Sequence, residues 1–500
     1  MKKILKKFWE RNKTDLLFIF FFLGLSFYAW RFILTWIIQF QGFMYFLPVT
    51  SDTYLGLSYK LLTTAQVAGV LLSAMLVKLV GVNMSLYMWI QLITMLFIGL
   101  LFYFVVKVVT KNRFIAFSAA LIYTVSYFGN YDLYIFDYSA HLLERASINV
   151  IFMLISFLFL HLFLEKTKIK YYAISIIFYC LGILSSHFSI LFTAPYFLYP
   201  FFWHLLSKKN LYMGFIVGIS YVLVSGFFVY LSSVGAEPIL QGRTGSFLQF
   251  ILNPEKNRYP EGMLLQLTYW SQYPSVFKSI LSGWSPMSFF NYDTAAPLRP
   301  LMIVVYSIAI FIIYKTLRNK RVLLFTTVFG TASIFLLNMY LGRYDPFYSA
   351  GSMRYLYFPT YLLAIFWSLF LWVLFKNKSA GLKILTVLLL VGYYLSNTYL
   401  LYTHFSHTYS DAKSQKAIFN HIIDTRSKQK QNTLIIGPYP DLAAQYEAPF
   451  FTSFLGKGEV TYMVDTFNVT DWRTVATTAA HVIRLSYNTK CGCVVEEKIK

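Results

Sequence analysis

Residues 84–106 read MSLYMWIQLITMLFIGLLFYFVV, a run without a single charged side chain. An α-helix needs about 20 consecutive apolar residues to cross the hydrocarbon core of a bilayer, and this run is long enough. Lys107, Lys111 and Arg113 follow it at once. Basic residues beside an apolar run are typical of the cytoplasmic end of a span. The stretch therefore predicts a transmembrane helix that ends on the cytoplasmic side.

Apolar runs of the same character recur along the chain, and each predicts a crossing of the membrane. They lie at 16–38, 84–106, 114–129, 147–164, 171–186, 188–206, 211–231, 300–314, 322–338, 355–375 and 382–402. We therefore predict an all-α polytopic membrane protein with about eleven transmembrane helices. The first run is longer than a signal-peptide core and no small-residue cleavage site follows it, which predicts an uncleaved span.

The composition agrees with a membrane protein and excludes a nucleic-acid partner. Of the 500 residues 57% are hydrophobic and only 13% are charged, which is too little polar surface to cover a water-soluble globule. The net charge of +22 comes from Lys and Arg spread between apolar runs, not from one basic groove. Aromatic residues make up 20% of the chain and suit interfacial belts. Membrane lipids are the partners that this composition implies.

The links between the runs alternate in character, and the alternation predicts the orientation. Short basic links are expected to face the cytoplasm. They contain Lys2/Lys3/Lys6/Lys7, Lys107/Lys111/Arg113, Lys166/Lys168/Lys170, Lys208/Lys209, Lys315/Arg318/Lys320/Arg321 and Lys376/Lys378/Lys383. The longer links are poorer in Lys and lie at 40–83, 130–146, 232–299, 339–354 and from 403 onward. The prediction is a multi-pass protein of the cell (cytoplasmic) membrane with its N-terminus inside and its C-terminus outside.

The composition divides the chain into a membrane domain, 1–402, and a soluble extracytoplasmic α/β domain, 403–500. Within the latter we predict helices at 410–426 and 471–487, a helix or loop at 441–454, and strands at 433–437, 460–464 and 493–496. Residues 54–81, in the first outward loop, are moderately apolar and predict interfacial helices. Cys491 and Cys493 are too close and too isolated to predict a zinc site, and they receive no function.

Candidate functional residues lie in the outward loops, where helices end and polar side chains can gather. Asp52 follows the first span, and Asp132 and Asp137 lie in the second outward loop. His187 is at the outer junction of two spans, and Arg354 stands where a later span begins. A guanidinium at that depth suits bidentate phosphate binding, although anchoring to lipid headgroups is the alternative.

Arg31, in the outer half of the first span, must find a carboxylate, water or a headgroup, because an unpaired charge there is costly.

The order of these features resembles the GT-C superfamily of polytopic glycosyltransferases. The resemblance rests on a first span, Asp52 just outside it, Tyr54-Leu-Gly-Leu-Ser-Tyr, and Leu79-Val-Gly81 before the second span. The acidic second loop and the segment Arg354-Tyr355-Leu-Tyr-Phe-Pro359 are similar to the bacterial protein-mannosyltransferase-like and RgtA-like members. Each motif is short, so the weight lies in their order and sidedness.

The resemblance implies a transferase that moves a sugar from a polyprenyl-phosphate donor to a glycan, lipid or protein acceptor at the outer face. It implies that Asp52 acts at the acceptor as general base or positions it. Asp137, with Asp132 as the alternate, would organise the site, in some members of the family through a divalent cation. Arg354, His187 and Tyr355 are then the candidates for binding the donor phosphate.

Two other classes of function stay open at the level of sequence. A transporter or flippase of a lipid-linked or anionic substrate would need polar or broken helices near the bilayer midplane, whereas these spans are nearly free of charge. A polysaccharide polymerase or ligase would also use outward arginines and a large external loop. The stretch 232–299, with Arg243, Arg258 and Asp293, keeps this second alternative open.

Overall fold

The chain is largely helical and ends in a small sheet. The computed structural model describes residues 2–35, 84–127, 148–185, 187–207, 210–234, 247–271, 298–340, 357–425, 433–437, 460–464 and 478–500. The interfacial helices predicted within 54–81 lie outside these residues. So does the segment 441–454, for which a helix or loop was predicted.

The described helices follow one another along the chain with short links between many of them. The α-helices are α1 (Lys2–Trp30), α2 (Met84–Thr110), α3 (Arg113–Val125), α4 (Ile148–Lys166), α5 (Ile169–Ser185), α6 (Thr193–Leu206), α7 (Leu211–Val234), α8 (Phe247–Leu252), α9 (Pro254–Asn257), α10 (Tyr259–Ser271), α11 (Arg299–Thr316), α12 (Arg321–Tyr340), α13 (Tyr357–Lys376) and α14 (Ala380–Thr425). Short 3-10 helices cover Arg31–Thr35, His187–Phe192 and Arg318–Lys320.

Helices of membrane-spanning length dominate this set. Within the described residues, eight helices are long and apolar enough to cross a bilayer. They make the chain a multi-pass membrane protein by length and composition. Helices α3 and α5 are shorter apolar helices, and the predicted run 188–206 is a 3-10 helix followed by α6. The total of eleven spans and their orientation stay predictions.

Several long helices have apolar side chains on the face that points away from the rest of the bundle. Phe20, Leu223 and Leu388 are 77%, 67% and 62% exposed, although each lies in the middle of an apolar helix. Side chains of this kind have no favourable environment in water, but hydrocarbon solvates them. The exposed apolar surface therefore marks the faces that meet lipid.

Basic residues gather at one end of the bundle, which we call the basic end. It is formed by the links α2–α3, α4–α5, α6–α7, α11–α12 and α13–α14. Asp15, only 6% exposed, lies here and binds three neighbours. Its carboxylate is 2.7 Å from Arg113 Nε and 2.9 Å from Lys107 Nζ, and it accepts a 3.1 Å hydrogen bond from the Tyr103 hydroxyl. The buried carboxylate thus joins α1 to α2 and α3, with its charge balanced.

Two further contacts tie other helices to this end. Lys111 forms an ion pair with Glu165 of α4 at 2.5 Å, and Lys320 donates to the Thr110 carbonyl oxygen at 2.6 Å. The Lys320 contact satisfies one of the carbonyl groups that the last turn of α2 leaves without an intrahelical partner. The basic end is therefore bound together by side chains from well-separated parts of the chain.

Helices α6 and α7 pack at close range through two glycines one turn apart. A methyl group added at Gly214 would lie 2.8 Å from the Pro200 carbonyl oxygen, and one at Gly218 would lie 2.9 Å from the Phe197 carbonyl oxygen. Glycines spaced by four residues let two helix backbones approach in a membrane, where packing and not hydrophobicity drives association. The close approach of α6 and α7 therefore depends on the lack of a side chain at Gly214 and Gly218.

The C-terminal domain is attached through a single long helix. Helix α14 has 46 residues and runs without a break from the last predicted span into the region predicted as soluble, so that position 403 lies inside it. At 1.5 Å per residue it is about 70 Å long. Its last turns contact the sheet, where Ile418 is buried and His421 Nε2 lies 2.7 Å from Glu496 Oε1. The continuous helix links the sheet directly to the membrane helices.

The sheet has four strands in the order β2-β1-β3-β4. They are β1 (Thr433–Gly437), β2 (Val460–Val464), β3 (His481–Asn488) and β4 (Cys493–Lys498). Strand β1 pairs in parallel with β2 and β3, whereas β4 is antiparallel to β3. The central position of β1 explains why Leu434, Ile435 and Ile436 are all buried. The predicted strands at 433–437, 460–464 and 493–496 are confirmed.

The helix predicted at 471–487 is wrong over its described part, because residues 481–488 form β3. The burial pattern explains the error. From residue 483 onward, Leu485 is buried and Ile483 and Tyr487 are partly buried, whereas Arg484, Ser486 and Asn488 are exposed, which is the alternation of a half-buried strand. Pairing with β1, almost fifty residues earlier, decides the conformation, and local sequence does not report such a contact.

Cys491 and Cys493 form a disulfide at the turn between β3 and β4. Sequence reasoning gave these residues no role. Disulfides persist in oxidising compartments, so the pair agrees with the expected extracytoplasmic position of the domain. By the chain-entropy relation, a closed loop of three residues contributes only about 1.6 kcal/mol, against about 3 kcal/mol for a loop of 15 residues.

Replacing Gly218 with Ala is expected to lower the free energy of unfolding by about 1–3 kcal/mol, because the new methyl group meets the backbone of α6. Gly226→Ala is the matched control on the same helix, since nothing lies within 4 Å of the added group. This control should be neutral or slightly stabilising, because Ala favours helix over Gly. Thermal unfolding of the detergent-solubilised protein measures both, and equal melting temperatures would contradict the proposed α6–α7 contact.

Candidate functional site

Most of the residues predicted to form the site lie outside the described residues. These are Asp52, Asp132, Asp137, Arg354 and Tyr355. His187 is the first residue of the 3-10 helix His187–Phe192, which we call the junction helix; only its backbone is described. The roles proposed for these six residues therefore stay predictions. The structure does describe the helix ends from which their segments begin.

The junction helix is bonded to the end of the second outward loop. Ser189 Oγ donates to the Gly182 carbonyl oxygen at 2.9 Å and lies 3.3 Å from Asn149 Nδ2, which donates to it. Asn149 is the second residue of α4, directly after the loop that contains Asp132 and Asp137. Both side chains are fully buried. The start of α4 is thus held against the helix that begins with His187.

The junction helix also packs against the start of α13. The ring of Phe192 lies 5.7 Å from that of Phe358 and 6.1 Å from that of Tyr361, both in edge-on geometry. In sequence, Arg354 and Tyr355 immediately precede this helix. Aromatic pairs at these separations are favourable beyond the area they bury. The junction helix, which begins with His187, is therefore in contact with the helix that follows Arg354 in sequence.

The beginning of the second outward loop is bonded to α1 and α14. Trp30 Nε1 donates to the Thr124 carbonyl oxygen at 2.7 Å, which joins the end of α1 to the end of α3. The Tyr127 N–H donates to Asn397 Oδ1 at 2.8 Å, and Asn397 Nδ2 donates to the Tyr393 carbonyl oxygen at 2.8 Å. The end of α1, after which Asp52 follows in sequence, thus lies beside the helix end that precedes Asp132.

Among the described residues, Arg31 contacts aromatic rings and a carbonyl oxygen. Its guanidinium carbon lies 3.7 Å from the ring centre of Tyr28 and 4.1 Å from that of Phe32, and it donates to the Tyr28 carbonyl oxygen. Aromatic faces attract a cation through their quadrupole, which compensates part of its lost hydration. Arg31 is held by its own helix rather than by a carboxylate of the described residues.

These helix ends all belong to the end of the bundle opposite the basic end, which we call the loop end. The contacts bring together the end of α1, the end of α3, the start of α4, the junction helix and the start of α13. Four separate segments carrying the six predicted residues are attached here. Their attachment to one region is what a shared site requires.

Helix α10 adds polar contacts at the loop end that the sequence did not predict. Gln266 Nε2 donates to the Phe335 carbonyl oxygen at 3.2 Å, and Trp270 Nε1 donates to Thr360 Oγ1 at 3.0 Å. Gln266 is fully buried and Trp270 nearly so. The spacing of four residues places both side chains on one helix face, but it does not indicate which helices they contact. Part of the large loop 232–299 is therefore packed against α12 and α13.

An apolar cavity of about 60 Å³ begins at the junction helix and continues between α2, α4, α6, α12 and α13 towards the basic end. Phe192 lines it at one end and Thr110 at the other. Its hydroxyl-bearing lining residues are Thr110, Tyr196, Thr326 and Tyr361, and each of these hydroxyls is bonded to a protein atom. The wall therefore presents carbon to any occupant, which favours a hydrocarbon chain.

A second apolar cavity, of about 210 Å³, lies between α10, α11, α12 and α13. Its walls include Leu267, Ile310, Phe335 and Phe366. The one lining hydroxyl without a bond to the described residues is that of Thr331. Helix α10 lines this cavity on one side, and the helices α11, α12 and α13 line it on the others.

The structure does not define a metal site. Across the part of the chain that it describes, no three side chains of His, Cys, Asp or Glu come together. The carboxylates Asp52, Asp132 and Asp137, which the family resemblance connects with a divalent cation, are not among the residues that could be searched.

Comparison of the chain with protein-family models and with curated protein sequences found no match. The expected relation to the GT-C superfamily therefore rests on the residues and on their order along the chain.

Asn397→Ala is expected to lower the free energy of unfolding by about 1–3 kcal/mol, because a buried donor and a buried acceptor lose their bonds at the loop end. Asn377→Ala is the control. Its side chain accepts from the Ser379 N–H in an exposed link at the basic end, where water replaces the lost bond. Thermal unfolding in detergent should separate the two variants, and an unchanged melting temperature for Asn397→Ala would contradict the role of this contact.

Proposed function

We propose that the chain is a membrane glycosyltransferase that moves a sugar from a polyprenyl-phosphate donor to an acceptor at the outer face of the membrane. The observation that carries the proposal is the convergence of helix ends on the junction helix. The loop with Asp132 and Asp137 enters α4 beside it, and Arg354 and Tyr355 precede a helix that packs on it. His187 begins the junction helix itself.

Each candidate residue has a defined task in such a transfer. Asp52 takes the proton from the acceptor hydroxyl as the new glycosidic bond forms at the anomeric carbon. That carbon becomes oxocarbenium-like while the bond to the phosphate oxygen breaks. Arg354, His187 and Tyr355 stabilise the charge that grows on the departing lipid phosphate. Asp137, or Asp132 in its place, orients these groups or holds a divalent cation.

The apolar cavities support a donor with a hydrocarbon tail. The walls of both cavities are almost entirely carbon. The first cavity begins at the junction helix, and α10 lines one side of the second. At about 60 and 210 Å³ the cavities would take only a few carbons of a polyprenyl tail, whose remainder would lie in the bilayer. A carbon-lined wall offers no hydrogen bonds to a free sugar, so the cavities suit the lipid part of a donor better than its head.

The pairing of polar groups inside the spans favours a transferase over a transporter. Ser175 Oγ bonds to Tyr221 Oη at 2.7 Å, and the Tyr179 hydroxyl lies 2.8 Å from Thr193 Oγ1 and 2.7 Å from Ser225 Oγ. None of these five side chains lines either cavity. A transport pathway needs polar groups that face a passage, whereas these groups satisfy one another between packed helices.

Purified full-length protein incubated with a panel of polyprenyl-phosphate sugars and acceptors, with and without divalent cations, tests the activity. Asp52→Asn and Asp137→Asn should each reduce transfer by about 10²–10⁴-fold, because the base or its positioning partner is lost. Asp424→Asn, at an exposed carboxylate of α14, is the control and should retain full activity. Arg354→Ala should weaken use of the donor far more than Arg354→Lys.

Wild-type turnover in both Asp variants would refute the proposed site. Similar activity of the two Arg354 variants would assign that residue to membrane anchoring instead of phosphate binding.

We also propose that the loop end and the sheet face the outside of the cell, because the basic end is where cytoplasmic charge is expected. A cysteine at Lys413, exposed on α14, should react with a membrane-impermeant maleimide in intact cells. A cysteine at Arg318, exposed at the basic end, should react only after permeabilisation. Labelling is followed by the mass shift of the protein, and the reverse pattern would refute this orientation.

A further inference from the structure

The turn between β3 and β4 carries the only disulfide among the described residues, and it is fully accessible. Cys491 and Cys493 are both exposed, with Gly492 between them, and their Cα atoms are 5.3 Å apart. The pair lies in the C-terminal sheet, apart in sequence from every residue of the candidate site. An exposed disulfide can be attacked by a thiolate without local unfolding, whereas a buried one is protected.

The turn is held by hydrogen bonds that do not involve sulfur. Asn488 Oδ1 accepts from the Lys490 N–H at 2.9 Å, and the Asn488 carbonyl oxygen accepts from the Gly492 N–H at 2.9 Å. Gly492 has φ +65°, a conformation that glycine adopts without strain. Beyond the turn, β3 and β4 are paired from Asn488 and Cys493 through Ile483 and Lys498. The hairpin therefore has its own support, and the three-residue disulfide loop adds little to it.

The turn also accommodates the reduced cysteines. Cys491 Sγ lies 3.7 Å from the Asn488 carbonyl oxygen, a distance at which a free thiol donates a hydrogen bond. Lys490 directly precedes Cys491 in this exposed turn, and a neighbouring ammonium group stabilises a thiolate. Both features favour Cys491 as the sulfur that is released when the disulfide opens.

We propose that Cys491 and Cys493 form a thiol–disulfide exchange site whose substrate is a dithiol on a partner protein. A thiolate of the partner attacks Cys493 Sγ, the Cys491–Cys493 bond breaks, and Cys491 leaves as a thiolate that takes a proton from water. The partner's second thiolate then attacks the partner's first sulfur in the mixed disulfide and releases Cys493 as a thiolate, which also takes a proton from water. In sum, two electrons and two protons pass from the dithiol to the cysteine pair, and the partner becomes a disulfide.

The first test is the rate at which the native, full-length protein is reduced. Dithiothreitol is added in detergent without denaturant, free thiols are blocked with iodoacetamide, and the protein is digested with trypsin. Cleavage after Lys490 and Lys498 places both cysteines in one peptide, whose mass reports two alkylations. The native protein should be reduced within about tenfold of the rate found in guanidinium, since both sulfurs are accessible. Alkylation that requires denaturant would overturn the proposal.

The second test identifies the attacked sulfur and the role of the neighbouring charge. A dithiol oxidoreductase whose resolving cysteine is replaced by Ser serves as probe and should be trapped as a mixed disulfide on Cys493. Lys490→Ala should slow its reaction several-fold, whereas Lys498→Ala, at the far end of β4, should not. Trapping on Cys491 alone, or equal rates in the two Lys variants, would overturn the assigned mechanism.

A third measurement separates exchange from a structural role. The double variant Cys491→Ser/Cys493→Ser should retain the melting temperature of the wild type within a few degrees, because hydrogen bonds already hold the hairpin. The same variant should form no mixed disulfide with the probe at positions 491–498. Loss of the folded sheet in this variant would assign the disulfide to stability and overturn the proposal.

Discussion

In the hydrocarbon core of a bilayer, a backbone amide has no water to bond with, so every crossing segment must satisfy its own N–H and C=O groups. The long helices of this chain follow from that constraint. Many polar side chains inside the spans also pair with one another, as Tyr179 does with Thr193 and Ser225. At the basic end, the buried carboxylate of Asp15 binds Arg113, Lys107 and Tyr103 at once. Only the loss of both cations, Arg113 and Lys107, would leave this buried charge without compensation.

The same constraint separates the two ends of the bundle by chemistry. At the basic end, the short links carry cations that form ion pairs or donate to carbonyl groups at helix ends. Lys320, for example, donates to the Thr110 carbonyl oxygen. At the loop end, neutral hydrogen bonds from Trp30, Asn149, Asn397 and Trp270 hold helix ends together. Neutral amide and indole groups position the backbone without adding charge. The loop end also has a charged cluster, in which Glu261 of α10 forms ion pairs with Arg258 and with Arg299, the first residue of α11.

The two apolar cavities and the exchange site proposed at Cys491 and Cys493 place different chemistry in different parts of one chain. Carbon-lined space lies among the spans. The disulfide lies in the sheet at the far end of α14, where a soluble partner can reach it. Helix α14 runs without a break from the last predicted span towards the sheet, and His421 near its end bonds to Glu496 of β4.

The sequence by itself determined the multi-pass helical architecture, because runs such as 84–106 are long and apolar enough to predict a membrane-spanning helix from local composition alone. It also predicted the strands at 433–437 and 460–464, whose apolar character is local. Only the tertiary structure decided that residues 481–488 form a strand, since their partner β1 is distant in sequence. The same holds for the cysteine pair, the packing of α10 through Gln266 and Trp270, and the junction helix between α4 and α13. Each of these depends on contacts between separated segments, and a local pattern of hydrophobicity and charge carries no record of which segments meet.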